Sequence, residues 1–271
     1  MSWRHASVRW TGSSWELQDL GSLNGTFVNG TRVQVGVRLV LRLGSRLRFG
    51  AAQPEWLVAD LDPPEAVATA LDDGTRVTAH NGLIALPSAE APEVSLFRRL
   101  DGVWIAEAPD RLWEPRADEI IVAAGRRFRF EPGSAVFATL ANLNNRLTSS
   151  GFAVEFAVSR NEEQVDITIL YGSKRIALKP RAHSYLLLTL ARMRLQDQAN
   201  PELPNSSHGW VEQQRLLRML ATHLSQLTLD VYRARRQFAE AGVADFAQIV
   251  ERRAGSRELR LGVEHINIVT H

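Results

Sequence analysis

The sequence contains no cysteine, which excludes disulfides, thiolate metal sites and cysteine nucleophiles together. A reducing, cytoplasmic setting is therefore expected. Lysine is nearly as scarce. Lys174 and Lys179 are the only lysines, so arginine carries almost all the positive charge. The planar arginine fork suits phosphate and carboxylate, although a GC-rich genome gives the same bias with no function attached. Long apolar runs are missing too. The most apolar stretch, Tyr185 to Leu195, is broken by Arg192 and Arg194, and falls short of the ~20 apolar residues that a bilayer span requires. The N-terminus lacks a basic region leading into an apolar one, so no membrane partner is expected. Nor does one sign of charge dominate. The chain has 32 basic and 30 acidic residues and a net charge of +2, so bulk charge identifies no partner.

The seven histidines are scattered, and none pairs with another at metal-ligand spacing. P-loop, Gly-x-Ser-x-Gly, His-Glu-x-x-His and dinucleotide fingerprints do not occur. The expectation is a protein that is not an enzyme, with no catalytic residue, metal or cofactor.

What is present is a chain of 271 residues, 45% apolar and 23% charged, long enough for two or three domains. Its patterning predicts an α+β protein in three segments. In residues 1–60, Val8 and Trp10 alternate with Ser7 and Arg9, and Trp15 and Leu17 with Glu16 and Gln18. Val37, Leu39, Leu41 and Leu43 face one way there, and Leu47 and Phe49 continue the pattern. Period-two alternation between Gly, Asn and Ser turns indicates an antiparallel β-sandwich. Residues 61–135 form a β-rich segment with candidate strands at Leu83–Leu86, Val103–Ile105, Glu119–Val122 and Arg127–Phe130. It either covers the sandwich or spaces it from the C-terminal segment. Residues 136–271 begin with alternating strands (Phe152 to Val158, Val165 to Tyr171) and a short one near Arg175–Leu178. Helical periodicity then places Leu186, Leu187, Leu190 and Met193 on one side. Further helices are expected near Val211–Ala221 and Leu227–Ala241, with strands near Ile249–Arg252, Glu258–Leu261 and Ile266–Val269.

Three ordered motifs stand in the first segment: Ser2-Trp3-Arg4-His5-Ala6, then Asp19-Leu20-Gly21-Ser22-Leu23-Asn24-Gly25-Thr26-Phe27-Val28-Asn29-Gly30, then Leu43-Gly44-Ser45-Arg46-Leu47-Arg48-Phe49-Gly50. Hairpin turns account for each Asn-Gly, but not for the Ser-x-x-His upstream or the strand pair downstream. In this order the motifs resemble the second half of a forkhead-associated (FHA) domain, a β-sandwich that binds phosphothreonine peptides. Phosphothreonine carries about −1.5 to −2 charges and three acceptor oxygens. The resemblance implies that Ser2 gives a hydroxyl to the phosphate and Arg4 a charge-assisted contact. By the same resemblance Asn24 holds the peptide backbone and His5 braces the loop. The family's Gly-Arg phosphate clamp and first strands precede this point, so the FHA-like sandwich is expected to be incomplete. Met1 stands where the family usually has Val, and GTG encodes Val yet can start translation. A misplaced gene start, and a longer natural protein, is therefore expected. The other reading is a decayed domain patched by residues 61–135. Either way, the chain as written is expected to bind phosphothreonine poorly or not at all.

The last segment resembles the winged helix-turn-helix of response-regulator effector domains, with its small sheet before the helices. Ile176 to Leu187 is similar to that family's strand and first helix, with His183 in place of the usual Glu, and Leu227 to Phe238 is similar to its recognition helix. Independently, Leu227, Val231, Ala234 and Phe238 form one apolar stripe. At 100° per residue, Tyr232, Arg233 and Arg236 fall opposite it and Arg235 on a flank. The resemblance implies that Arg233 reaches base edges and that Arg235 and Arg236 contact the DNA backbone. Arg252, Arg253 and Arg257 at the hairpin tip would follow the phosphates. The tip lacks the family's Gly-x-Gly-Tyr ending, and Asp230, Glu240 and Glu251 dilute the charge. No receiver domain is present, so aspartyl phosphorylation is not the expected input. The combined expectation is a phosphothreonine-dependent adaptor or transcription regulator with a phosphoprotein and double-stranded DNA as partners. The alternative is a scaffold in which both modules bind protein.

Overall fold

The computed structural model describes residues 5–50, 54–133 and 147–270. Its described residues form six sheets and three helices, an α+β protein. The chain divides into two compact units, with the boundary between Glu65 and Ala66.

In the first unit, the Ala6–Trp10 strand turns through Thr11–Ser14 and returns as Trp15–Asp19 in antiparallel register, Trp10 opposite Trp15. The two indoles meet edge to face at 5.5 Å. Arg38–Val40 pairs on the far side of Trp15–Asp19. A second sheet is ordered Thr31–Arg32, Thr26–Val28, Arg46–Phe49, Trp56–Leu57. Asn29 and Gly30 both take positive φ between its first hairpin strands, the backbone that a tight right-twisted hairpin requires. Leu17, Val28, Val33, Leu41 and Leu47 form the core. Of the four residues expected to face one way through 37–43, only Leu41 is buried; Val37 and Leu43 lie outside the strand Arg38–Val40, and Leu39 lies within it at the edge of its sheet. Val37, Leu39 and Leu43 are exposed.

The second unit is where the sequence reading changes most. Residues from 66 onward do not stand as a separate β segment. The antiparallel meander Leu83–Leu86, Val94–Arg98, Trp104–Ala108, Arg111–Trp113 lies between two layers. Ile84, Leu86, Leu96 and Ala106 face a sheet built from residues 67–78 and 120–131 and pack on Phe128 and Phe130. Leu83, Ala85 and Phe97, on the opposite face, join the core of the C-terminal elements. Strands covered on both sides read as continuous apolar runs rather than alternating ones, and all four residues of Leu83–Leu86 are buried. The 135/136 boundary expected from sequence lies outside the described residues.

The C-terminal elements follow the expected order. A sheet of Lys174–Leu178, Val165–Tyr171, Ala153–Val158 and His265–Thr270 closes with its last strand parallel to Ala153–Val158. Helices run at Ser184–Gln198, Gln213–Met219 and Leu224–Glu240. The helix expected from Val211 begins two residues later, because Val211–Glu212 pairs as a strand with Glu258–Leu261. The Glu212 side chain then caps the helix by accepting from the Arg215 amide. Val250–Arg252 pairs with the other edge of Glu258–Leu261.

The meander is joined to the C-terminal elements by a buried ion cluster. Glu107, 6% exposed, accepts from Arg235 Nη2 at 2.9 Å and from Arg252 Nε at 3.3 Å. Arg235 also donates to the Ala247 and Val250 carbonyls, and Arg252 to Pro109 O and Gln213 Oε1. Burial alone would raise the Glu107 carboxyl, but the two guanidiniums outweigh it and hold the group below its ordinary value. Removing one member of such a cluster leaves buried charge unpaired, which costs about 3–5 kcal/mol. Glu107→Ala is therefore expected to lower the unfolding free energy of the second unit by about 4 kcal/mol in urea titration; a loss below about 1 kcal/mol would show that the pair is not holding the layers.

Candidate functional site

The residues of the second sequence motif make one hydrogen-bonded loop. Asp19 ends its strand with the carboxylate buried. Its Oδ1 accepts from the Gly21 and Ser22 amides at 2.9 and 3.0 Å, and its Oδ2 from the Ser22 and Thr26 hydroxyls at 2.5 and 2.6 Å. Asp commonly folds a turn this way, its short side chain accepting from amides a few residues on. Burial raises its carboxyl, yet these donors prevail and hold it far below the usual carboxylate range. From the other side His5 Nε2 lies 3.1 Å from the Gly25 carbonyl, which also accepts from Gly50 N at 2.8 Å. The His5 ring stands edge-on to Phe49 at 6.1 Å. Gly25 has φ +75°, a left-handed backbone in which any side chain is strained. The outcome is a loop fixed at both ends with Asn24 exposed at its tip. Ser2 and Arg4 lie outside the described residues.

Residues 1–50 match the FHA domain family. The chain carries an FHA domain. FHA domains are protein-interaction modules for phosphothreonine peptides and are not catalytic. Beyond that family, neither a curated protein nor a solved structure matches the chain. Within this FHA segment, sequence reasoning assigned no role to Asp19, Ser22 or Thr26. The signal was there, in an Asp placed to reach a hydroxyl three residues on and another seven residues on. Leu23, beside Asn24, is 87% exposed and was likewise passed over; an apolar side chain at the loop tip can meet an apolar residue of a bound peptide.

The C-terminal residues assigned to DNA separate into two groups. Tyr232 was expected to face away from the core, but it is buried, and so is Arg235. The stripe of Leu227, Val231, Ala234 and Phe238 fills one core, and the meander covers the flank next to it. Arg252 was expected at the hairpin tip, yet its side chain is 4% exposed and engaged by Glu107. Those three positions are corrected: they are interior residues. Arg253 is partly exposed, stacked on Trp210 at 4.7 Å and paired with Glu258 at 2.8 Å. Arg233, Arg236 and Arg257 are exposed, and Arg236 pairs with Glu240.

Arg233 and Arg236 line a groove of about 660 Å3 with Lys179, Arg181, His183 and Gln237. Gln237 fixes its floor, donating to Lys179 O at 2.7 Å and sitting 2.7 Å from His183 Nε2. Burial pushes the His183 imidazole down from its ordinary value, helped by Arg233 and Arg181 and opposed by Gln237 and Asp230. The groove is cationic because of its arginines and lysine, not because of histidine. Among the described residues no cluster of His, Asp and Glu could hold a metal ion, and no helix is long and apolar enough to cross a membrane.

The Asp19 loop makes a prediction with a sign. A carboxyl depressed in the folded state contributes stability above its unfolded pKa, near 3.8, and that contribution is lost as pH falls below it. Protection of the Gly21 and Ser22 amides against exchange is expected to fall below pH about 4. Asp19→Ala is expected to expose the same amides at neutral pH, at a cost of about 3 kcal/mol. Unchanged protection in that variant would remove Asp19 from its role.

Proposed function

We propose that this chain is a phosphothreonine-dependent adaptor that works through protein contacts, receiving a Ser/Thr-kinase signal at the FHA loop and offering its second unit to further protein partners in the cytoplasm. The observation that carries this reading is the FHA loop itself, with a buried carboxylate below, His5 at its side and Asn24 free at the tip. Burial of Tyr232, Arg235 and Arg252 favours protein partners over duplex DNA, because it removes three of the seven side chains assigned to that duplex. In this reading the phosphate contacts fall to Ser2 and Arg4, so modest affinity is expected, and preference is the better readout. Calorimetry on the chain should show at least about tenfold tighter binding of a phosphothreonine peptide than of its plain counterpart. Asn24→Ala should lose about tenfold for the phosphopeptide. Equal heats from both peptides would overturn the reading.

The cationic groove favours a second reading, in which a winged helix-turn-helix binds DNA through Arg233, Arg236, Lys179 and Arg181. Phosphate neutralisation gives a log–log salt slope of about −0.9 per contact. Four contacts would thus give a slope of about −3.6, falling to about −1.8 in the Arg233→Ala/Arg236→Ala double variant. A flat salt response would exclude this reading.

A further inference from the structure

The sheet that opens the C-terminal elements ends on one side at the strand Lys174–Leu178. One edge of that strand pairs with Val165–Tyr171, and among the described residues no strand pairs with the other. Ile176, Ala177 and Leu178, with Lys179 just beyond them, all line the groove of about 660 Å3 beside the third helix. Successive side chains of a strand point to opposite faces, so three consecutive residues border one groove where the strand turns its edge to it. No residue of Val165–Tyr171 lines the groove, so the edge turned to it is the free one. The groove therefore offers backbone amides and carbonyls as well as side chains. Just past the strand, Lys179 O is already taken by Gln237 Nε2 at 2.7 Å.

The charge around this edge has one sign left over. Arg236 is tied to Glu240 at 2.8 Å, and Asp230 accepts from Gln226 Nε2 at 2.9 Å. Lys179, Arg181 and Arg233 are exposed and make no ion pair among the described residues. Cations beside an open strand edge oppose a second copy of that edge and admit an acidic strand. A duplex would use the cations and leave the edge idle, whereas an added strand uses both.

We propose that an extended acidic segment of a partner protein adds to Lys174–Leu178 as a further strand, its backbone bonding the free edge and its carboxylates meeting Lys179, Arg181 and Arg233. This rests on the protein-contact reading and deepens it, naming where the second unit takes its partner and what chemistry that partner carries.

The probe is a blocked peptide of about six residues alternating valine and glutamate, with no threonine. Titrated into the full chain by calorimetry at low ionic strength, it should bind saturably with Kd below about 1 mM. The matching valine–lysine peptide should bind at least about tenfold more weakly. So should the valine–glutamate peptide with methylated backbone amides, which keeps the charge and loses the strand bonds, by about tenfold. Hydrogen exchange within Lys174–Leu178 should slow when the probe is bound, a change that charge attraction alone would not cause. The Arg181→Ala/Arg233→Ala double variant, altered only at exposed positions, should lose at least about tenfold in affinity at an unchanged urea midpoint. Absence of saturable binding up to about 10 mM, equal binding of either control peptide, unchanged exchange within Lys174–Leu178, or undiminished binding by the double variant would each overturn the proposal. A DNA duplex that binds where the peptide does not would assign the groove to nucleic acid instead. If the peptide failed while phosphothreonine preference persisted, the FHA reading would stand and this docking edge alone would fall.

Discussion

The second unit depends on one carboxylate placed where two guanidiniums converge. Glu107 sits in a strand whose neighbours Ala106 and Trp104 face the other way, into a dry core, so the strand shows its charge to the helical side alone. Arg235 comes from the middle of the third helix and Arg252 from the hairpin strand after it. A single acid thus fixes the helix, the hairpin and the meander relative to one another. The apolar contacts of Leu83, Ala85 and Phe97 provide the attraction, which is non-directional. The ion cluster supplies direction, since it is satisfied only when all three elements are in register.

That constraint decides what the helix can offer. An arginine-bearing face opposite an apolar stripe is the arrangement that a groove-reading helix needs, and this helix has it in sequence. In the folded chain the arc through Arg235 and Tyr232 is spent on packing, and the arc through Arg233 and Arg236 remains open. The open arc does not face solvent alone. It meets Lys179 and Arg181 across the groove, so the exposed cations are drawn from two elements instead of aligned along one.

Much of this was legible in the sequence and some was not, for reasons that can be named. The FHA loop was readable because each residue acts on near neighbours: Asp19 reaches Ser22 and Thr26 within one turn, and Asn29-Gly30 makes its own hairpin. Helix positions were readable from periodicity, to within three residues at each end of the third helix. What failed was anything set by a distant segment. A helical stripe identifies the side that enters a core, but it cannot say whether a flank is also covered. Tyr232 and Arg235 were therefore assigned to solvent, when a sheet well over a hundred residues earlier in the chain covers them. The unbroken run Leu83-Ile84-Ala85-Leu86 did carry the missing information, because a strand apolar on both faces must be covered on both. The exposed Val37 and Leu43 show the opposite failure, in which a period-two pattern outlasts the strand Arg38–Val40, and Leu39 within it is exposed because that strand is the edge of its sheet.

The two units use a buried carboxylate in opposite ways, and the difference bears on function. Asp19 gathers neutral donors, two hydroxyls and two amides, and its own negative charge stays beneath the loop that carries Asn24. Those donors are polarised toward it, which spreads the charge and fixes the loop shape before any ligand arrives. Glu107 instead gathers cations and is outnumbered by them. An acid surrounded by local hydroxyls and amides fixes the shape of one loop and leaves the Asn24 side chain exposed on it. An acid shared by two cations from distant elements fixes those elements to each other. Each arrangement is set by which partners the chain brings to one acid, since the acid itself is nearly the same in both.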